Sequence, residues 1–179
     1  MNRYRSVSIL VIVALIASLF VAVLPAAAQT TPLVTLTLGP RNANQGDTFN
    51  LPLNITTAAG FSGIRAYQFN LAFDPTRVQV NSITDAGFLA TAGASCSVIQ
   101  ALPPTISNTL GTASVPGWAI LGCTGSAAAG SGPLANINFT VLPSATNGRA
   151  NLSLSNVVLA DVNANAVPAS PGSSRPAAP

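Results

Sequence analysis

The chain has 179 residues, 49% of them hydrophobic and only 6% charged, with a formal net charge of +3 and no histidine. Lysine and glutamate are absent too, so every basic residue is arginine and every acidic residue is aspartate. This excludes a Ser-His-Asp triad, a Cys-His pair and the histidine-bearing zinc hydrolase sites, and it leaves no clustered positive footprint for nucleic acid.

Residues 1–28 read as an export signal. Arg3 and Arg5 precede the almost unbroken apolar run Val7–Leu24, and "PAAAQT" supplies small residues on an A-x-A pattern, with cleavage expected after Ala28. The competing reading is a retained membrane anchor, because a run of this length reaches the lower edge of what spans a bilayer. Export predicts a secreted, extracellular or cell-surface protein, with no membrane span once the signal is removed. Removal also leaves Arg41, Arg65, Arg77, Arg149 and Arg175 against Asp47, Asp74, Asp85 and Asp161, a net of +1. The remaining chain of about 150 residues suffices for one domain with one core, expected over 33–167.

In chain order, "LVTLTLGP" (33–40) alternates apolar and polar residues and stops at Gly39-Pro40. Gly46-Asp47 then makes a turn, and Phe49, Leu51, Leu53 and Ile55 share one side of a second strand. Pro52 lies in that strand and has no N–H to give to a ladder, so it belongs at an edge or bulge. A third strand is predicted from Ile64 to Phe73, with Tyr67, Phe69, Leu71 and Phe73 inward and Gln68 and Asn70 outward. Asp74-Pro75-Thr76-Arg77 follows as a type I turn capped by the Asp74 side chain, with Pro75 supplying the required φ. Val78 and Val80 resume the alternation.

Between 84 and 133 the periodicity is poor. Short strands are expected at Val98-Ile99, at Ile106 and over 117–123, and "GSAAAGSG" (125–132) is expected as a mobile loop. Cys96 and Cys123 are an even pair in an exported chain, which predicts one intramolecular disulfide pinning this region. Leu134, Ile137, Phe139 and Val141 mark a further strand, and "NLSLSNVVLAD" (151–161) the last one. In the latter, Leu152 and Leu154 have one parity and Val157 and Leu159 the other, which requires a bulge near Asn156. Residues 168–179 read as a Pro/Ser/Ala-rich disordered tail or linker. With no amphipathic helix and seven to nine short strands, the fold class is an all-β sandwich.

Candidates for chemistry are few. Asp47 and Asp74 sit in turns, where capping backbone amides is a sufficient role. Asp161, Asn163 and Asn165 have the spacing of a calcium loop, but Ala166 stands where its glycine should be and Gly172 where its bidentate glutamate should be. Only Asp161 with backbone carbonyls is left as a candidate cation ligand; no other metal or cofactor is expected. Trp118, the single tryptophan, is either a packing residue or an exposed stacking residue. The sequons beginning at Asn54, Asn138 and Asn151 have meaning only in a eukaryotic secretory host.

The ordered set "VTLTL", "GDTFNLPLNI", "GIRAYQFNLAFDPTRVQV", "GPLANINFTVL" and "NLSLSNVVLAD" resembles the cohesin family over about residues 34 to 167. Its sharpest parts are Gly46-Asp47 before the second strand and Phe73-Asp74-Pro75 ending the third. The resemblance implies a jelly-roll sandwich of about nine strands, similar to carbohydrate-binding modules, and a non-catalytic role. In that role one sheet face binds a dockerin module of a polysaccharide-degrading or cell-surface assembly, and the calcium belongs to the dockerin. The implied face uses outward residues of the third strand, Arg65, Gln68 and Asn70, and mid-chain strands around Trp118. The alternative function is a carbohydrate-binding or adhesion module on the same scaffold. An exposed aromatic platform would favour sugar, and a flat polar and aliphatic face a dockerin helix.

Overall fold

The alternating segments form eleven strands in a computed structural model that describes residues 32–171. The export-signal assignment for residues 1–28 and the tail beyond Pro171 lie outside the described residues. The strands are β1 (Val34–Leu38), β2 (Thr48–Thr57), β3 (Ala66–Phe73), β4 (Val78–Asp85), β5 (Ser97–Gln100) and β6 (Thr105–Ser107), followed by β7 (Thr112–Leu121), β8 (Ser131–Val141), β9 (Leu152–Ala160), β10 (Ala166–Val167) and β11 (Ala169–Pro171). They make a five-stranded sheet, β11-β1-β2-β8-β4, and a six-stranded one, β10-β9-β3-β7-β5 with β6 also on β7. All pairings are antiparallel except β1 with β11.

Alternation places one face of each sheet inward. Leu51, Leu53 and Ile55 of β2 and Ile137 and Phe139 of β8 meet Tyr67, Phe69, Leu71 and Phe73 of β3 in a single core. Aromatic contacts run through it: Phe49 stacks on Phe139 at 5.7 Å, Phe73 meets Phe139 edge-on at 6.4 Å, and Tyr67 stacks on Trp118 at 5.4 Å. No charged side chain among the described residues is buried.

Three irregularities set the register. β1 ends at Leu38, opposite Leu53, so no strand lies beside Pro52 on that side, and a β2–β8 register shift follows directly at Leu53/Asn54. On β9, Gln68 pairs with Val158 but Asn70 pairs with Ser155, and Asn156 takes φ 48° at the resulting bulge, as the phase change in this strand requires. On β7, Tyr67 pairs with Trp118 but Phe69 pairs with Val115. Gly117 makes that second bulge: its φ is +105°, and a Cβ there would come 1.9 Å from the Tyr67 carbonyl oxygen.

Several expectations are corrected. β7 is ten residues long, and β8 starts at Ser131 rather than at Leu134. β3 starts at Ala66; Ile64 forms instead an isolated bridge to Ala128. That bridge ties down 125–132, the expected mobile loop: Ile64 and Ala128 exchange N–H···O bonds of 2.8 and 2.9 Å, and Ala128 is buried. Residues 169–171, placed in the tail by composition, form β11, which pairs with β1 through the backbone and so needs no apolar alternation.

Candidate partner-binding face

The outward surface of β9, β3, β7 and β5 is a set of transverse rows fixed by strand register. In the first, Ala160, Ala66, Ala119 and Ile99 lie directly opposite one another across four strands. Beside it, Gln68 faces Val158, and Leu121 faces Ser97. The next rows are small and polar: Ser155, Asn70, Ser114 and Thr105, then Ser153, Ala72, Thr112 and Ser107. No row contains a charge. Ile99, Leu121 and Val158 are 42%, 50% and 45% exposed, large values for apolar side chains within strands.

The four residues assigned to this face from sequence fare differently. Gln68 is exposed on it, and Asn70 is half-buried on it. Arg65 is half-buried just before β3, and its Nη2 donates to the carbonyl oxygens of Ile120 (3.2 Å) and Cys123 (2.8 Å). The guanidinium therefore clasps the end of β7. Trp118 does not belong to the face. The Gly117 bulge reverses parity after Val115, which turns the indole inward onto Tyr67 and leaves it 6% exposed. Ile99, Leu121 and Val158 were missed. The first two lie where periodicity is poor, whereas Val158 follows from the Asn156 bulge, because its parity must then point outward.

The disulfide joins Cys96, just before β5, to Cys123, just after β7, across strands that pair Ser97 with Leu121. It holds β5, and with it Ile99, onto the face. Elsewhere the aspartates act as turn caps. Asp47 Oδ2 accepts from the Asn44 N–H (2.8 Å), beside the positive φ of Gly46. Asp74 Oδ1 accepts from the Thr76 hydroxyl (2.6 Å) and N–H (3.0 Å); these bonds, the hydroxyl's first, hold its carboxyl below the ordinary carboxylate range. Pro75 follows in that turn. Asp161 Oδ1 accepts from the N–H groups of Asn163 (2.8 Å) and Asn165 (2.9 Å), and the Asn165 amide above all lowers its pKa. Asp161 thus caps its own loop, in the manner of an Asx turn. Among the described residues no group of three His, Cys, Asp or Glu could hold a metal ion.

Two largely antiparallel sheets packed over one core define a β-sandwich module. The cohesin domain model matches residues 34–174, and the chain belongs to that family. Several solved structures are similar. The sixth cohesin of scaffoldin B from Acetivibrio cellulolyticus, in complex with a Cel5 dockerin, is 20% identical (80% of this chain, 96% of that one, TM-score 0.59). A type I cohesin–dockerin complex from Clostridium thermocellum is 15% identical (77% and 93%, TM-score 0.60). A non-cellulosomal cohesin from the archaeon Archaeoglobus fulgidus is 17% identical (77% and 85%, TM-score 0.57). No curated protein sequence matches the chain.

Proposed function

We propose that the protein is a non-catalytic extracellular binding module whose β9-β3-β7-β5 face grips a helical, dockerin-type protein module. The observation that carries this reading is the row Ala160–Ala66–Ala119–Ile99. Three methyl groups in register form a low track that lets a helix approach the sheet closely. Ile99, Leu121 and Val158 give the contact its apolar core, and Gln68 and Asn70 supply hydrogen bonds beside it, the usual anatomy of a specific interface. Two of the similar structures are complexes with dockerins, which supports the same partner class. Calcium, in this reading, is carried by the dockerin. The N-terminal sequence supports export, and family membership supports a place in a polysaccharide-degrading or cell-surface assembly.

Direct glycan binding by this face has less to work with. Every aromatic side chain among the described residues is buried or half-buried, so no ring platform stands on the surface for a sugar to stack on. The deciding experiment is a pull-down of dockerin-bearing proteins of the same organism, with calcium and after chelation. Calcium-dependent capture is expected. Retention on an insoluble glycan with no dockerin captured would overturn the proposal.

A further inference from the structure

At the end of the sandwich where β2 and β4 begin and β8 ends, a cavity of about 600 Å³ opens between segments 39–45 and 145–150. That volume lies within the range of small-molecule sites, roughly 300–1,000 Å³. Its apolar lining comes from Leu51 and Val78 of the core and from Phe49, stacked on Phe139, and Leu152, both half-buried against that core. Its rim is unlike the rest of the surface. Arg41, Arg77 and Arg149 all line it, three of the four arginines in residues 32–171, and none of the four aspartates does.

The three cations are not equivalent. Arg77 is committed to structure: its Nε lies 3.2 Å from Asp74 Oδ2, and its Nη1 donates to the Thr146 carbonyl. Arg41 sits with its guanidinium carbon 5.9 Å from the centre of the Phe49 ring, on the cavity's aromatic wall. Arg149 is exposed at the mouth. Among the described residues neither Arg41 nor Arg149 has a carboxylate partner. The walls that carry them are tied together, because Gln45 Nε2 donates to the Ala145 carbonyl and the Gly46 N–H to Val141 O at 3.0 Å.

With Arg77 paired to Asp74, the guanidiniums of Arg41 and Arg149 are the two cations lining this cavity that have no carboxylate partner among the described residues. A bound anion would supply the partner these two cations lack, and guanidinium forks match carboxylate geometry. The apolar lining selects against a bare, fully hydrated anion. We infer that this cavity binds a small organic carboxylate with an apolar body, its carboxylate held by Arg41 and Arg149 and its body resting on Phe49 and Leu152. None of these residues lies on the outward β9-β3-β7-β5 face, so this site is independent of dockerin recognition.

The test is an NMR titration of the isotopically labelled protein at low ionic strength. The probes are 3-phenylpropanoate, the neutral 3-phenylpropan-1-ol and inorganic phosphate. The carboxylate is expected to move amides of 41–45 and 145–150 and to bind more tightly than either control. The double variant Arg41→Gln/Arg149→Gln, checked for unchanged circular dichroism, should weaken it roughly ten- to hundredfold while leaving the weak alcohol contact alone. Equal binding of the alcohol or of phosphate, shifts elsewhere on the domain, or no saturable binding of the carboxylate would each overturn the inference. If the double variant unfolds, Arg149→Gln alone, at the exposed rim, must still lower carboxylate affinity for the inference to stand.

Discussion

The Tyr67 hydroxyl, on β3, lies 2.9 Å from Oδ1 of Asp85, on β4, so a polar contact crosses the core from one sheet to the other. The same hydroxyl is 2.7 Å from the Leu134 carbonyl oxygen on β8 and, with one proton, donates to one acceptor at a time. Asp85 is itself placed by the Gly87 N–H, which donates to its Oδ2 at 2.9 Å. Tyr67→Phe leaves these acceptors without their donor and should cost about 1–3 kcal/mol in urea unfolding. The pH dependence has a defined sign. Burial first, then the Asp85 carboxylate, push the Tyr67 hydroxyl far above the ordinary tyrosine range. A raised folded-state pKa gives stability that is fully present below the unfolded value, near about 10, and lost as pH rises beyond it. The urea midpoint should therefore fall more steeply above pH ~10 in the parent than in Tyr67→Phe.

Acid works in the opposite direction at the turns. Asp74 and Asp161 both have lowered folded-state pKa values, through the Thr76 hydroxyl and the Asn165 amide respectively. Their contribution is present above the unfolded aspartate value, near about 4, and is lost as pH falls through the lower folded values. The Asp74→Asn/Asp161→Asn double variant should show a flatter decline of the urea midpoint between pH ~4 and ~2 than the parent. An equal slope would remove these caps from the acid transition.

The Cys96–Cys123 bond closes a loop with a sequence separation of 27. Replacing both cysteines by serine should lower unfolding free energy by about 3–4 kcal/mol on the chain-entropy estimate. Hydrogen exchange should rise first in 97–100, since β5 is held to the domain by β7 and this bond.

Gly117 tolerates no side chain. Its left-handed φ and the 1.9 Å approach of a Cβ to the Tyr67 carbonyl mean that Gly117→Ala must move β3 or β7. Backbone strain alone costs about 1–3 kcal/mol. The Tm should drop markedly, with loss of the Tyr67–Trp118 stack read from tryptophan fluorescence.

Ala119→Arg places a long cation in the middle of the alanine row, on the surface. Dockerin capture should weaken by roughly thirtyfold or more, as for a central hot spot, while the Tm changes little. Full capture by this variant would move the partner site off this face.

Most of the core was legible because strands with one buried face announce themselves by alternation. Tyr67 to Phe73 and Phe49 to Ile55 are the clearest cases. The Asn156 bulge was legible for the same reason, as a break in phase. The site was less so. Gln68 and Asn70 follow from β3's parity, but periodicity left Trp118 open between packing and exposure, and only the resemblance put it at the face, because a one-residue glycine bulge shows only when the facing strand is known. β11 escaped for a different reason: backbone pairing with β1 leaves no side-chain pattern.

Composition alone determined that no histidine- or glutamate-based chemistry exists here, since absent residues cannot be supplied by folding. Alternation alone determined a β-sandwich, since half-buried strands must bury their apolar face against another sheet. Which small residues meet across four strands depends on register. Which arginines share a cavity depends on where distant turns come to rest. Ala160, Ala66, Ala119 and Ile99 are scattered over 95 positions of sequence, and Arg41 and Arg149 over more. Only backbone hydrogen bonding between strands remote in sequence brings each set together, and that was decided in the tertiary structure.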